Sequence, residues 1–439
     1  MDKLVVEGGH RLRGPLPISG SKNTALALMA AGLLPDGPST FSHVPDLRDI
    51  DTFSRVIRYS GADVDFDAAR HTLRIDPTPL ETPEAPYELV KRMRASFYML
   101  GALLGRCGRA KVSLPGGCAW GPRPVDLHLE GMKALGAEVD LEQGYVVARA
   151  PGGRLGGGTF RLEPSSVGAT INLVLAAVTA RGTSHLDNAA IEPDVVIFCE
   201  ALQAMGARIE GIGTRSLTIE GTDTLHPVAF DNCPDRIELG TFMIAALLAG
   251  EPGDRITLQN ARADHLGQAF LDAFAQTGAG LEISPGSVHV IVPDEIRPVS
   301  IQTDVYPGFP TDLQAQWTVL MTQAHGNAKI VDNVYFDRFK HIPELRRMGV
   351  NAIVVGNEVV IEGKTRLQGA QVMSTDLRAS VSLVLAGLVA DGETHVLRVY
   401  HLDRGYERLE EKLSRAGIPI RREQYDEFAD PALHPTDTP

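Results

Sequence analysis

The chain has 439 residues, 44% of them hydrophobic and 22% charged, with a formal net charge of −13. It is too long for one ordinary core, so two or three domains are predicted, and its acidic balance excludes a general nucleic-acid binder, which needs a basic face. A small anionic ligand must therefore meet a local concentration of arginines and lysines.

The amino-terminal stretch MDKLVVEGGHRLRG lacks the apolar core of a signal peptide, and charges interrupt every long apolar run further on. A cytoplasmic protein with no membrane association is expected. Cys107, Cys118, Cys199 and Cys233 are irregularly spaced without a C-x-x-C pair, so neither a zinc site nor a disulfide framework is expected. Neither a metal, a cofactor nor an obligate protein partner is inferred.

In chain order, six helices are predicted that are apolar nearly all round: SKNTALALMAAGLL, MRASFYMLGALLGRCG, SVGATINLVLAAVTARG, IELGTFMIAALLAG, TDLQAQWTVLMTQAHG and TDLRASVSLVLAGLVADG. Such helices are interior ones, and these are too short to span a membrane. Each is followed by an amphipathic helix that ends at a glycine and leads into a strand-like run. The glycines are Gly61, Gly136, Gly206, Gly278, Gly349 and Gly417, at spacings of 75, 70, 72, 71 and 68 residues. The chain is thus read as six copies of one unit, each with a buried helix, an amphipathic helix and about three short strands.

Three units packed together bury three apolar helices behind sheets, so six units predict two similar α/β domains. The sixth unit runs short of strand after IPIRR, while the amino terminus offers an unattached strand, KLVVEG. The expected division is 21–229 for the first domain, 1–20 with 230–422 for a discontinuous second domain, and 423–439 for a flexible acidic tail. Buried helices that begin with polar residues set their unpaired N–H groups at one end of each domain, and two such ends facing each other make an anion-binding cleft. Ser21, Ser166, Thr311 and Thr375 read as N-caps. Capping does not account for the charges beside them, Lys22, Arg94, Asp312, Asp376 and Arg378. Arg338 and Asp376 could equally form a purely structural ion pair.

The strongest local signal is KVSLPGGCAWGPRPVDLHLEGMKALGA. Pro115, Gly116 and Gly117 predict a turn that displays Cys118, and Arg123 would favour its thiolate. A small apolar filler is the plain alternative for a lone cysteine.

With ISGSKNTAL, MRAS, SLPGGC, RPVDLH, SVGAT, DRIE, FPTDLQAQ, DRFKHIPELRRMG, STDLRAS and HLDRGYE in order along the chain, the sequence resembles the UDP-N-acetylglucosamine 1-carboxyvinyltransferase family over essentially its whole length. The resemblance implies two inside-out α/β domains of three repeats each, with the active site in the interdomain cleft. It implies transfer of the enolpyruvyl group of phosphoenolpyruvate to the 3-hydroxyl of UDP-N-acetylglucosamine, the first committed step of peptidoglycan synthesis, and sensitivity to fosfomycin.

The roles it implies are carried over position by position. Lys22 and Asn23 match the phosphoenolpyruvate pair, and Cys118 the general acid. Arg123 bridges loop and phosphate, while Pro124, Val125, Asp126 and Leu127 wall the uridine. Ser166, Val167 and Gly168 contact the diphosphate, and Arg94 the nucleotide sugar. Asp312 faces the sugar hydroxyl as the general base, with Val334 a nearby backbone contact. Arg338, Arg378 and Arg404 come from the second domain, Arg404 to the donor on closure. Three positions depart from the family pattern: Pro164 stands where a lysine often helps bind diphosphate, Ile191 where an arginine precedes Glu192, and Trp120 is bulkier than usual. The shikimate-pathway enolpyruvyl transferase and a catalytically silent sugar-nucleotide-binding paralogue are the rival readings.

Overall fold

The computed structural model describes residues 1–115, 125–335 and 337–426. Its framework follows from the six apolar helices, which have no face that water would stabilise. Lys22–Ala31, Met99–Cys107 and Val167–Ala177 pack on one another in a first lobe, and Arg236–Ala249, Gln314–Thr322 and Leu377–Val389 do so in a second. Around each trio lies a separate buried cluster. One is built from Ala25 through Leu225, the other from Leu4 to Ile18 together with Ile237 to Ile420. Among the described residues no helix is long and apolar enough to cross a membrane.

Each buried helix is followed by a strand and then by a second helix. The second helices are Arg48–Tyr59, Asp126–Ala134, Pro193–Ala204, Gln268–Gln276, Ile342–Arg347 and Leu409–Arg415. Each stops just before its repeat glycine, and all six glycines take the left-handed conformation, with φ between 96° and 101°. A side chain there would be strained, which is why the period is legible as glycine.

Among the described residues the sheets hold four strands each, one more than the expected three. The additional strand is a parallel edge of two or three residues, such as Glu84–Ala85 on Arg109–Ser113 or Gln371–Met373 on Glu393–Leu397. Segments this short carry no alternation to read. In the sixth sheet the central slot goes to Asp2–Glu7, antiparallel to both Glu393–Leu397 and Ile420–Gln424.

Two boundaries differ from the sequence-based expectation. The cut between 229 and 230 falls inside the strand Ala229–Asp231, which pairs with Ser39–Ser42 in the first lobe. The chain leaves that lobe only afterwards, at Cys233–Asp235. The tail placed at 423–439 begins later as well. The strand Ile420–Gln424 includes Glu423, and the Tyr425 amide donates to the Met1 carbonyl at 2.8 Å, because the backbone of Asp2–Glu7 offers this segment a ladder. Residues 427–439 lie outside the described residues.

The two crossings run side by side. The Ser21 amide donates to the Cys233 carbonyl at 2.6 Å and the Asp235 amide to the Ser19 carbonyl at 2.9 Å. Each crossing leaves its short strand in the lobe it departs from: Leu16–Pro17 stays with Arg255–Gln259, and Ala229–Asp231 with Ser39–Ser42.

Packing between buried helices is tightest where Gly101 meets the Val167–Ala177 helix. A Cβ on Gly101 would lie 2.1 Å from the Asn172 carbonyl oxygen, a backbone atom that cannot move aside. Gly101→Ala is expected to destabilise the protein by about 3 kcal/mol, the upper end of ordinary overpacking, measured by urea unfolding. An unchanged midpoint would mean that the two helices separate without cost.

Candidate active site

Helix starts from both lobes meet at the seam, and charged groups gather there. Ser21 caps Lys22–Ala31 by accepting from the Thr24 amide. Asp235 caps Arg236–Ala249 through Oδ1, which accepts from the Ile237 and Glu238 amides at 2.8 and 3.0 Å, while its Oδ2 accepts from the Lys22 amide at 3.2 Å. One carboxylate thus serves the positive ends of two helices, one per lobe. Ser166 caps Val167–Ala177. Thr311 and Thr375 do not cap. Leu377–Val389 is capped by Asp376, and Thr311 Oγ1 donates to Asp332 Oδ2 instead. Asp376 is the residue directly before the helix, where its Oδ1 reaches the Arg378 and Ala379 amides at 2.9 and 3.0 Å.

Lys22 opens the first buried helix, and its Nζ lies 3.2 Å from Asp49 Oδ2. Asp49, in the first turn of Arg48–Tyr59, is 3% exposed and Lys22 8%. From the other lobe Arg404, at the end of the turn Val399–Arg404, sets its Nε 2.9 Å from Asp49 Oδ1. Two cations from opposite lobes therefore share one buried carboxylate. Asn23 lies half-buried beside Lys22.

Asp312 follows Thr311 in a helical turn ahead of Gln314–Thr322. Its Oδ1 lies 2.7 Å from an Arg338 nitrogen and its Oδ2 2.8 Å from Arg378. Burial alone would push this carboxyl up, but Arg378 and Arg338 outweigh it and hold it well below the usual range. Arg338 is engaged by Asp312 and Thr311 while Asp376 caps its helix, so the structural pair considered for Arg338 and Asp376 gives way to other partners. Tyr406 Oη gathers one side chain from each buried helix of the second lobe, namely Thr241 at 2.9 Å, Gln316 at 3.2 Å and Arg378 at 3.3 Å. The Val334 amide donates to Asp332 Oδ1 at 3.0 Å.

The remaining first-lobe candidates form a third group. Arg94 begins the turn Arg94–Tyr98, Val125 is buried, and Asp126 and Leu127 start the helix Asp126–Ala134. His128 in that helix is 3% exposed, packs edge-on against Phe97, and bonds Asn172 through Nδ1 at 2.9 Å. Its Nε2 has no hydrogen-bond partner among the described residues, and a Cβ on Gly168 would sit 3.6 Å from that atom. His128 thus faces the half-buried start of the Ser166-capped helix, at Val167 and Gly168. Arg215 stands beside that start too, donating to Ser165 Oγ at 2.9 Å and, across the seam, to the Tyr306 carbonyl at 3.0 Å. Cys118, Trp120, Arg123 and Pro124 lie outside the described residues.

Sequence reasoning missed Asp49, Asp194, Arg236 and His128. Asp49 reads as an acid placed to suit a helix dipole, which is common and unspecific. Asp194 accepts from Ser21 Oγ at 2.9 Å, Thr24 Oγ1 at 2.7 Å and Arg236 Nε at 3.3 Å, and so fastens the lobes together. Burial would raise its carboxyl, but Arg236 and the two hydroxyls hold it low. Neighbouring Glu192 is pushed up, by burial first. Arg236 and His128 sit inside the quoted blocks DRIE and RPVDLH and could have been drawn from them.

A family model described as EPSP synthase (3-phosphoshikimate 1-carboxyvinyltransferase) matches residues 6–413. A UDP-N-acetylglucosamine 1-carboxyvinyltransferase of Chloroherpeton thalassium is 53% identical, covering 99% of this chain and 100% of the relative. One of the same name from Chlorobaculum parvum is 52% identical over 98% and 100%. Among solved structures, the enolpyruvyl transferase NikO from Streptomyces tendae superposes with a TM-score of 0.86 at 27% identity, over 96% of this chain and 98% of that one. EPSP synthase from Acinetobacter baumannii shares the fold, with a TM-score of 0.73 at 16% identity over 97% and 100%.

The buried histidines give stability a pH dependence. Burial, with Arg94 or Arg338 adding to it, pushes His128 and His341 down to about 3, against about 6.5 in an unfolded chain. The unfolded state binds the protons first, so stability falls as pH drops from about 6.5 towards 3, by at most about 1.4 kcal/mol per pH unit for each histidine. Asp194 and Asp312, held low, add their own loss once pH falls below the unfolded carboxylate value of about 3.9. Urea midpoints should fall between pH 7 and pH 5, and His128→Gln should lessen the slope. Identical slopes in the two proteins would show that His128 is not buried neutral.

Proposed function

We infer the reaction from the premise that this chain belongs to the UDP-N-acetylglucosamine 1-carboxyvinyltransferase family. It transfers the enolpyruvyl group of phosphoenolpyruvate to the 3-hydroxyl of UDP-N-acetylglucosamine with release of phosphate, the first committed step of peptidoglycan synthesis. The observation that carries the site reading is Asp49 held between Lys22 and Arg404. A phosphate or carboxylate entering the seam can compete for two cations that come from different lobes, which binds the donor and draws the lobes together. The EPSP synthase description fits the fold, but relatives half-identical over the whole chain favour the sugar nucleotide as acceptor.

In this reading the sugar oxygen adds to C2 of phosphoenolpyruvate and C3 takes a proton; the C2–O bond to phosphate then breaks as C3 gives up a proton, which restores the double bond and releases phosphate. Lys22, Arg404 and Arg123 replace water around the phosphate and carboxylate. Asp312 receives the hydroxyl proton. The two arginines keep it ionised and ready to accept, and they also make it a weak base, so the transfer must run together with C–O bond formation. Cys118 gives the proton to C3. The other three thiols are poor candidates, since burial pushes Cys107 up and Cys199 and Cys233 up to about 12. The Ser166-capped helix start takes the diphosphate, with Arg94 beside it and Val125, Asp126 and Leu127 along the uridine. The cations required are side chains, so no cofactor is assigned, and we read the reaction as a cytoplasmic one.

Phosphate release from phosphoenolpyruvate, measured with UDP-N-acetylglucosamine or with shikimate 3-phosphate as acceptor, tests the reading. The sugar nucleotide should support turnover and the shikimate ester should not; the reverse pattern would sink it. In the same assay Asp312→Asn should lower kcat by about 10² to 10⁴ with a smaller change in the KM for phosphoenolpyruvate. Turnover at the wild-type level would remove Asp312 from the proton transfer.

A further inference from the structure

One carboxylate outside this set touches both lobes and the chain between them. Glu407 follows Arg404 by three residues and is 8% exposed. Its Oε1 accepts from the Asp46 amide at 2.8 Å and lies 3.4 Å from His71 Nδ1, both in the first lobe. Its Oε2 accepts from Ser19 Oγ at 2.8 Å, on the first crossing. Ser19 is fixed in turn, because its Oγ accepts from Lys412 Nζ at 2.6 Å and its amide donates to Glu238 at 2.6 Å. The same His71 nitrogen is 3.3 Å from the Val44 carbonyl, a pure acceptor, so it carries a proton and donates there.

Asp46 lies two residues before the first residue of the helix Arg48–Tyr59, and Asp49 lies in its first turn. The same turn of chain therefore receives Glu407 at one point and Arg404 at another. A guanidinium on a long side chain loses much rotamer freedom when it is held in place, and a misplacement of about 1 Å at a reacting centre costs on the order of 10²-fold. Charge-assisted hydrogen bonds of the kind Glu407 makes can fix the backbone that carries Arg404.

We propose that Glu407 is a positioning residue for the reaction. It docks the Val399–Arg404 turn on the start of the Arg48–Tyr59 helix, so that Arg404 reaches the Asp49 and Lys22 position in one geometry. The proposal rests on the reading of Lys22 and Arg404 as donor-binding groups, and Glu407 acts only through Arg404.

The test is steady-state kinetics of Glu407→Ala and Glu407→Gln on the full chain, with thermal melts and small-angle X-ray scattering with and without UDP-N-acetylglucosamine. Glu407→Ala should raise the KM for phosphoenolpyruvate about tenfold, the loss of one to two such bonds, and leave the KM for the sugar nucleotide within about twofold. It should also enlarge the radius of gyration of the sugar-nucleotide-bound protein. Glu407→Gln keeps a carbonyl oxygen to accept from the Asp46 amide and turns its NH2 to the Ser19 hydroxyl, which can accept as well as donate, so it should recover most of the effect. Equal increases in both KM values, a lowered melting temperature with both KM values unchanged, or a glutamine variant as damaged as the alanine one would each overturn the proposal. If the wild type does not turn over phosphoenolpyruvate, the reaction reading fails, and the scattering difference between wild type and Glu407→Ala still decides the docking.

Discussion

A helix without a polar face can be stable only where other parts of the chain enclose it, and this chain has six. Enclosure by their own kind forces them into trios. It also leaves their ends as the only places where unsatisfied amides and charged residues can be accommodated. The amino-terminal ends of both trios reach the seam, where Asp235 caps a helix of its own lobe and accepts from the Lys22 amide of the other. The cleft and its electrostatics are thus a by-product of how the cores are buried.

At that seam Asp49, Asp194 and Asp312 each face a cation, yet the pairings differ in what they permit. Asp194 is buried, Arg236 is mostly enclosed, and two hydroxyls also donate to the carboxylate, an arrangement suited to holding. Asp49 is shared by two cations from separate lobes, an arrangement that another anion can divide. Asp312 sits between two arginines with its side chain 29% exposed, so it rests ionised while one side of it stays open. Burial, number of partners and access separate fastening from chemistry more clearly than residue type does.

The parts of the fold that were legible in the sequence were those in which one conformation demands one residue. Gly61 and its five counterparts all adopt positive φ, so their spacing declares the repeat. The buried helices declare themselves by composition. What stayed hidden depends on long-range pairing. The strands Leu16–Pro17 and Glu84–Ala85 are two residues long and exist only because a neighbour offers a ladder. Asp49 looks like any acid in a first turn until Arg404, 355 residues away, is set beside it. Thr375 and Asp376 show the same limit at short range, since both can cap and only the fold decides between them. The motif blocks mark Lys22, Asp312, Arg338, Arg378 and Arg404 along the chain, whereas their grouping into an Asp49 set and an Asp312 set is a property of the folded molecule.

The paired crossings have a mechanical consequence. Two strands joined by Ser21 with Cys233 and Asp235 with Ser19 behave as a flat ribbon. Its backbone bonds lie in the plane of the ribbon, so shear and stretch would break them, while bending about an axis across the ribbon leaves them intact. A single strand would act as a universal joint and let the lobes meet in many orientations; a ribbon acts as a door hinge. Motion of the second lobe is then confined to something near one rotation, and a side chain more than 380 residues from the first crossing sweeps the same arc on every cycle.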